Sequence, residues 1–146
     1  MTTSAAPSRP VPARSKARKR ALDILFEAEV RGEPVPDLLE QRIIAASPPV
    51  SEYAAELVRG VQAHRERIDE LLSKHAEGWS LARMPAVDRN VLRIGLYELL
   101  WADDVPDAVA ISEAVLLARD LSTDGSPAFV NGLLGRLLEL KPTLTV

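Results

Sequence analysis

Apolar residues recur at helical spacing along most of the chain, and no stretch shows the period-2 alternation of a half-buried strand. Residues 1–13 hold Pro7, Pro10 and Pro12 among small polar residues, with too little apolar surface to offset the entropy of ordering, so disorder is expected there. A first stripe then runs through Ala17, Ala21, Ile24, Leu25 and Ala28. Gly32 stops it, and Pro34 and Pro36 confirm the break. A second helix is predicted from Pro36 through Leu38, Leu39, Ile43 and Ile44, ending at Pro48 and Pro49. Ser51 is placed to cap a single long third helix through Tyr53, Leu57, Val58, Val61, Ile68, Leu71 and Leu72. Gly78 closes it near Trp79, and residues 80–83 suit one short turn.

Residues 87–101 differ from the rest. On a helical wheel Val87, Val91, Ile94 and Trp101 fall together, while Leu92, Leu96, Leu99 and Leu100 fall opposite. A helix that is apolar all round is buried all round, so this one should be central, with neighbours on both sides. Glu98 lies on its apolar face, and a buried carboxylate needs a partner. An arginine from a neighbouring helix would serve. Pro106 then suits the start of the next helix, with Ile111, Ala114, Val115 and Ala118 as its core face. Ser126 should cap the last helix and Pro127 begin it, with Val130, Leu133, Leu134, Leu137 and Leu138 facing inward. The predicted fold class is all-α: about seven helices, two small three-helix bundles joined around a central buried helix. Residues 14–146 are read as a single domain.

Composition agrees with a packed domain. The chain has 146 residues, 47% of them apolar, and no cysteine, which excludes disulfides and thiolate metal sites. No apolar run approaches the roughly 20 residues of a membrane span. With no secretory signal pattern either, a cytoplasmic location is expected. Charge is divided unevenly. Residues 1–20 carry Arg9, Arg14, Lys16, Arg18, Lys19 and Arg20 and no acid, leaving a body of 12 basic and 21 acidic residues. Basic residues concentrated on an acidic body mark a local anion-binding footprint, or else a solubilising tail.

No catalytic chemistry is visible. His64 and His75 stand too far apart for a helical metal pair, and no Gly-rich phosphate loop follows a strand. No catalytic residue, metal site or cofactor is expected. The first helix instead pairs Lys16, Lys19 and Arg20 with Phe26, about 20° from Lys19 on the wheel at ~100° per residue. Stacking beside phosphate contacts is what single-stranded RNA requires. The alternative is that Phe26 packs under the second or third helix. In the last helix Phe129 stands at the margin of the apolar face near Arg136 and Gly132, with Asn131 on the opposite margin. These could equally be a core phenylalanine and a bridging amide.

Five blocks carry a family resemblance. They are the Arg-rich segment from Arg14 to Arg20 leading into ALDILF at 21–26, VDRNVLRIGLYEL at 87–99, DVP at 104–106, AISEA at 110–114 and FVNG at 129–132. In this order they resemble the NusB family of bacterial transcription antitermination factors. The resemblance implies a non-catalytic adaptor of two three-helix bundle halves. Its implied role is to bind single-stranded boxA RNA with NusE, a ribosomal small-subunit protein, on the RNA polymerase elongation complex with other Nus factors, during ribosomal RNA transcription. The RNA surface it implies uses Arg14, Lys16, Arg18, Phe26, His75, Phe129 and Asn131, to which the basic side of the helix adds Lys19 and Arg20. The implied NusE face uses Asp88, Arg89, Leu92, Val105 and Asp107, the last replacing an aromatic of some relatives. Two other readings stay open: a relative of the NusB-like domain joined to ribosomal RNA cytosine methyltransferases, and a homodimeric interaction protein with an occluded RNA surface.

Overall fold

The computed structural model describes residues 12–146, so the expected disorder of residues 1–13 lies outside the described residues as far as residue 11, Arg9 included, whereas Ala13 already begins a helix. Seven α-helices follow in order: α1 (Ala13–Arg31), α2 (Val35–Ala45), α3 (Glu52–Ala63), α4 (Arg65–His75), α5 (Ala86–Trp101), α6 (Asp107–Leu121) and α7 (Ser126–Leu140). Short 3₁₀ turns at Leu81–Arg83 and Lys141–Thr143 complete the described residues, among which there is no strand. Helices α1, α2 and α3 pack on one another, and α5, α6 and α7 form the second group. Helix α5 is the hub, touching α1, α3, α4, α6 and α7, and it buries eleven of its residues.

The predicted stops act through backbone geometry. Gly32 adopts φ +67° and donates its N–H to the carbonyls of Ala28 and Glu29, a left-handed cap that glycine adopts at little cost. Ser51 caps α3 as expected, accepting from the Ala54 N–H at 3.1 Å. Two expectations change. The single long third helix is two helices broken at His64, where φ is −108° and ψ is 14°. The break lets α3 pack on α1 while α4 turns to α5 and α7. The His64 ring stacks on Trp101 at 4.1 Å between centroids. No proline or glycine marks this break, which is why apolar periodicity runs through it. Ser126 is also no cap: it is the first residue of α7, and its hydroxyl points at Asp88. In α2 only Leu38 and Leu39 are buried, and Ile44 is 74% exposed.

One close approach fixes how α3 meets α5. The Tyr97 ring lies directly on Gly60, so a Cβ there would overlap the ring. Gly60→Ala should therefore cost about 1–3 kcal/mol, the usual range for overpacking. Urea denaturation measures it; a change within experimental error would show that the ring moves aside freely.

Candidate nucleic-acid interface

The α1 side separates the expected cations into two kinds. Arg14, Lys16 and Lys19 are exposed and Arg20 is half-buried. Arg14 donates to Asp104 at 2.6 Å and its guanidinium lies 4.2 Å over the Tyr53 ring. The bond to Arg14 holds the Asp104 carboxyl below its ordinary range. Lys19 stands 3.4 Å from Asp23, and Arg20 donates to the Pro48 carbonyl at 3.3 Å. Phe26 is 37% exposed, so it does not pack away under α2 or α3.

Arg18 is different, and its expected place on the RNA surface is corrected. It is buried, with Nε 2.8 and 3.0 Å from the two oxygens of Glu98 and Nη1 2.9 Å from Glu113. It is the arginine that buried Glu98 was expected to need. The Tyr53 hydroxyl also donates to Glu98, and the Ser15 hydroxyl to Glu113. Burial, then the bond to Glu98, raises the Tyr53 hydroxyl well above its ordinary value. Helical spacing puts Arg18 on the line of the core stripe. Distinguishing an overhanging cation from a buried one requires knowing that Glu98 and Glu113 reach it.

The α7 side gathers His75, Phe129 and Asn131. His75 and Asn131 line an open groove of about 730 Å³ along the bare backbone of Gly132 and Gly135. A second recess of about 290 Å³ joins His75 to Phe129 and Arg136. Arg136 donates to Glu77 at 2.7 Å. Burial, followed by repulsion from Lys74 and Arg136, lowers the His75 pKa from its ordinary value. Trp79, 50% exposed, leans on Phe129 with centroids 6.1 Å apart. Periodicity gave Trp79 no role, although a tryptophan just past Gly78 in a polar stretch was a signal. This group and the α1 cations stand on separate elements: α1 packs on α2, α3 and α5, whereas α7 packs on α4, α5 and α6.

The expected partner face is mostly interior. Leu92 is fully buried and Val105 nearly so, as the all-round apolar pattern of the central helix already required for Leu92. Asp88 is buried under the loop between α6 and α7, accepting from the Ser122 hydroxyl and, at 2.8 Å, from Ser126. These three are corrected as contact residues, because their side chains are closed off from a docking partner. Half-buried Arg89 pairs with Glu29 and donates to the carbonyls of Leu81 at 2.8 Å and Met84 at 2.9 Å. Beside it Arg93 is buried between Asp69, at 2.9 and 3.1 Å, and Glu29, at 3.2 Å. Asp107 stays accessible in a 2.8 Å pair with Lys141. Among the described residues no group of three acidic or histidine side chains could hold a metal ion, and no helix is long and apolar enough to cross a membrane.

Comparison with known proteins agrees with this arrangement. Residues 15–139 match the model of the NusB family. A protein of Thermobifida fusca named transcription antitermination protein NusB is 61% identical over 133 residues, covering 91% of this chain and 94% of that protein. One of Saccharopolyspora erythraea with the same name is 66% identical over 127 residues, covering 86% of each. Among solved structures, T. maritima NusB is similar with a TM-score of 0.76 and 36% identity, covering 90% of this chain and 93% of that one. A chain from a complex of NusB and NusE with dsRNA is similar with a TM-score of 0.75 and 29% identity, covering 86% and 96%.

Proposed function

The chain belongs to the NusB family, and from that premise we propose that it binds single-stranded boxA RNA together with NusE and sustains ribosomal RNA transcription by the elongation complex. The observation that carries this reading is the outward side of α1, where Lys16 and Lys19 share an exposed surface with Phe26. Exposed cations supply phosphate contacts and an exposed ring supplies stacking, the two terms that bind single strands. Arg20 and Arg14 extend the cationic side, while Phe129, His75 and Asn131 offer a second contact zone on α7. The relative solved with NusE and dsRNA supports the choice of partners.

The test is the salt dependence of RNA binding. Replacing Lys16, Lys19 and Arg20 by alanine should flatten the slope of log affinity against log salt by about 2, at roughly 0.7 for each phosphate no longer neutralised. Preference among RNA sequences should not change, because phosphate contacts carry no base information. An unchanged slope would leave these residues as a solubilising surface.

NusE docking is assigned to the start of α6, because Asp107 is the accessible acid of the expected face. Asp107→Lys should leave the melting temperature within a few degrees of wild type. It should weaken NusE binding at least tenfold and leave RNA binding by the isolated protein unchanged. Equal NusE affinity in calorimetry for both forms would move the docking face elsewhere.

A further inference from the structure

Arg14 stands apart from the lysines of α1. At ~100° per residue it lies about 160° from Lys16 and about 140° from Lys19 around the helix, on the side that meets α3 and the loop after α5. There its guanidinium rests 4.2 Å over the Tyr53 ring, and Nη2 donates to Asp104 at 2.6 Å. Asp104 belongs to the loop joining α5 to α6, 90 residues further along the chain. We propose that Asp104 is a built-in competitor for RNA, occupying Arg14 until a phosphate of a bound single strand displaces it. The proposal rests on the RNA-binding reading above and adds a restraint to it.

The chemistry of the two anions is alike. A carboxylate and a phosphate both take the edge of a guanidinium through charge-assisted bonds, so they compete for the same N–H groups. Accessibility makes the exchange open to a strand. The Arg14 side chain is 45% exposed and that of Asp104 64% exposed, and a pair so placed is weak in water. Arg18 supplies the contrast. It faces the same Tyr53 ring at 5.8 Å, but its side chain is only 5% exposed and it is held by Glu98 and Glu113. One arginine at this ring is fixed, and the other can change partner.

Tyr53 makes the change easy. A guanidinium carries five N–H donors, and contact with a ring face uses none of them. The ring can therefore keep Arg14 in place while the edge passes from carboxylate to phosphate. The Tyr53 hydroxyl, turned to Glu98, holds the ring itself still.

The experiment compares full-length chains in titrations with a single-stranded boxA oligomer and with an oligouridine of the same length. Asp104→Asn removes the competing charge. Asp103→Asn removes the same charge one residue earlier, where no bond to Arg14 is made, and so measures the effect of net charge alone. Asp104→Asn should bind more tightly than Asp103→Asn by about 1.5- to 5-fold at low salt, the fold-change equivalent to an exposed ion pair. The excess should shrink as salt rises, because the pair it removes is screened. It should be the same for both oligomers, because phosphate contacts carry no base information. In an Arg14→Ala background the two substitutions should act alike, since no guanidinium is left to release. Thermal melts of all variants check that the fold is kept. Equal affinities for Asp104→Asn and Asp103→Asn overturn the proposal while leaving the RNA-binding reading intact. So does an excess that survives Arg14→Ala, which would mean that Asp104 repels the strand directly, or weaker binding by Asp104→Asn, which would mean that the pair holds α1 for RNA. No RNA binding by any form overturns both.

Discussion

Arg18→Ala should destabilise the protein by about 3–5 kcal/mol, the range for removing one partner of a buried ion pair. The size follows from what stays behind. Glu98 is almost wholly buried in the last turn of the hub helix, and without Arg18 only the Tyr53 hydroxyl faces its carboxylate. Glu113 would lose its Arg18 partner too, though it lies nearer the surface. Removing both central charges together, as Arg18→Met with Glu98→Leu, should recover much of the loss, because no unpaired charge is then buried. Urea denaturation of the three variants decides the matter. A loss below about 1 kcal/mol for Arg18→Ala would mean that Glu98 is solvated, as in ordinary surface pairs. RNA affinity per folded molecule should not change, since this guanidinium faces inward.

The second large effect is expected where α7 crosses α5. Leu134 is fully buried, and a Cβ built at Gly95 would come 2.8 Å from its Cδ1 and 3.0 Å from the Ala114 Cβ. Leu134→Ala should cost about 2–5 kcal/mol through the missing burial and the cavity left behind. Gly95→Ala should cost about 1–3 kcal/mol by overpacking the same place. The double variant should be less destabilised than the two losses added, because the new methyl enters space the leucine vacates, with a coupling of about 0.5–3 kcal/mol. Strict additivity in thermal or urea unfolding would show that Ala114, which no leucine substitution moves, sets the limit at Gly95.

The helices were legible because this fold is written mostly in apolar spacing and backbone punctuation. Gly32, Ser51 and the all-round apolar run at 87–101 each specify a local geometry that no distant residue overrides. The break at His64 was not legible, since it carries no local mark and the ring it stacks on, Trp101, lies 37 positions further along the chain. The candidate site divides on the same principle. Periodicity put Lys16 and Lys19 on the outward side, where they stand, and left Phe26 open between that side and packing under α2 or α3. It could not tell that Asp88 lies beneath a loop, because Ser122 and Ser126 look like ordinary loop polar residues until their hydroxyls converge on it. Leu92 shows two readings of one helix in conflict: a residue on a fully buried element could not also present a docking face. Arg93, Asp69 and Glu29 carried no periodic signal, and only the packing of α1, α4 and α5 joins them.

The clamp on Arg18 also has a consequence for synthesis. Glu98 lies 80 residues downstream of Arg18 and Glu113 lies 95 downstream. At roughly 5–20 residues per second, the ribosome needs about 4–16 s to span the first of these distances. Throughout that interval α1 has no counter-charge for the arginine it must bury, and it cannot dock in its final place. Final docking of α1 therefore waits for α5 and α6, and a chain halted before Glu98 lacks both carboxylates that hold Arg18.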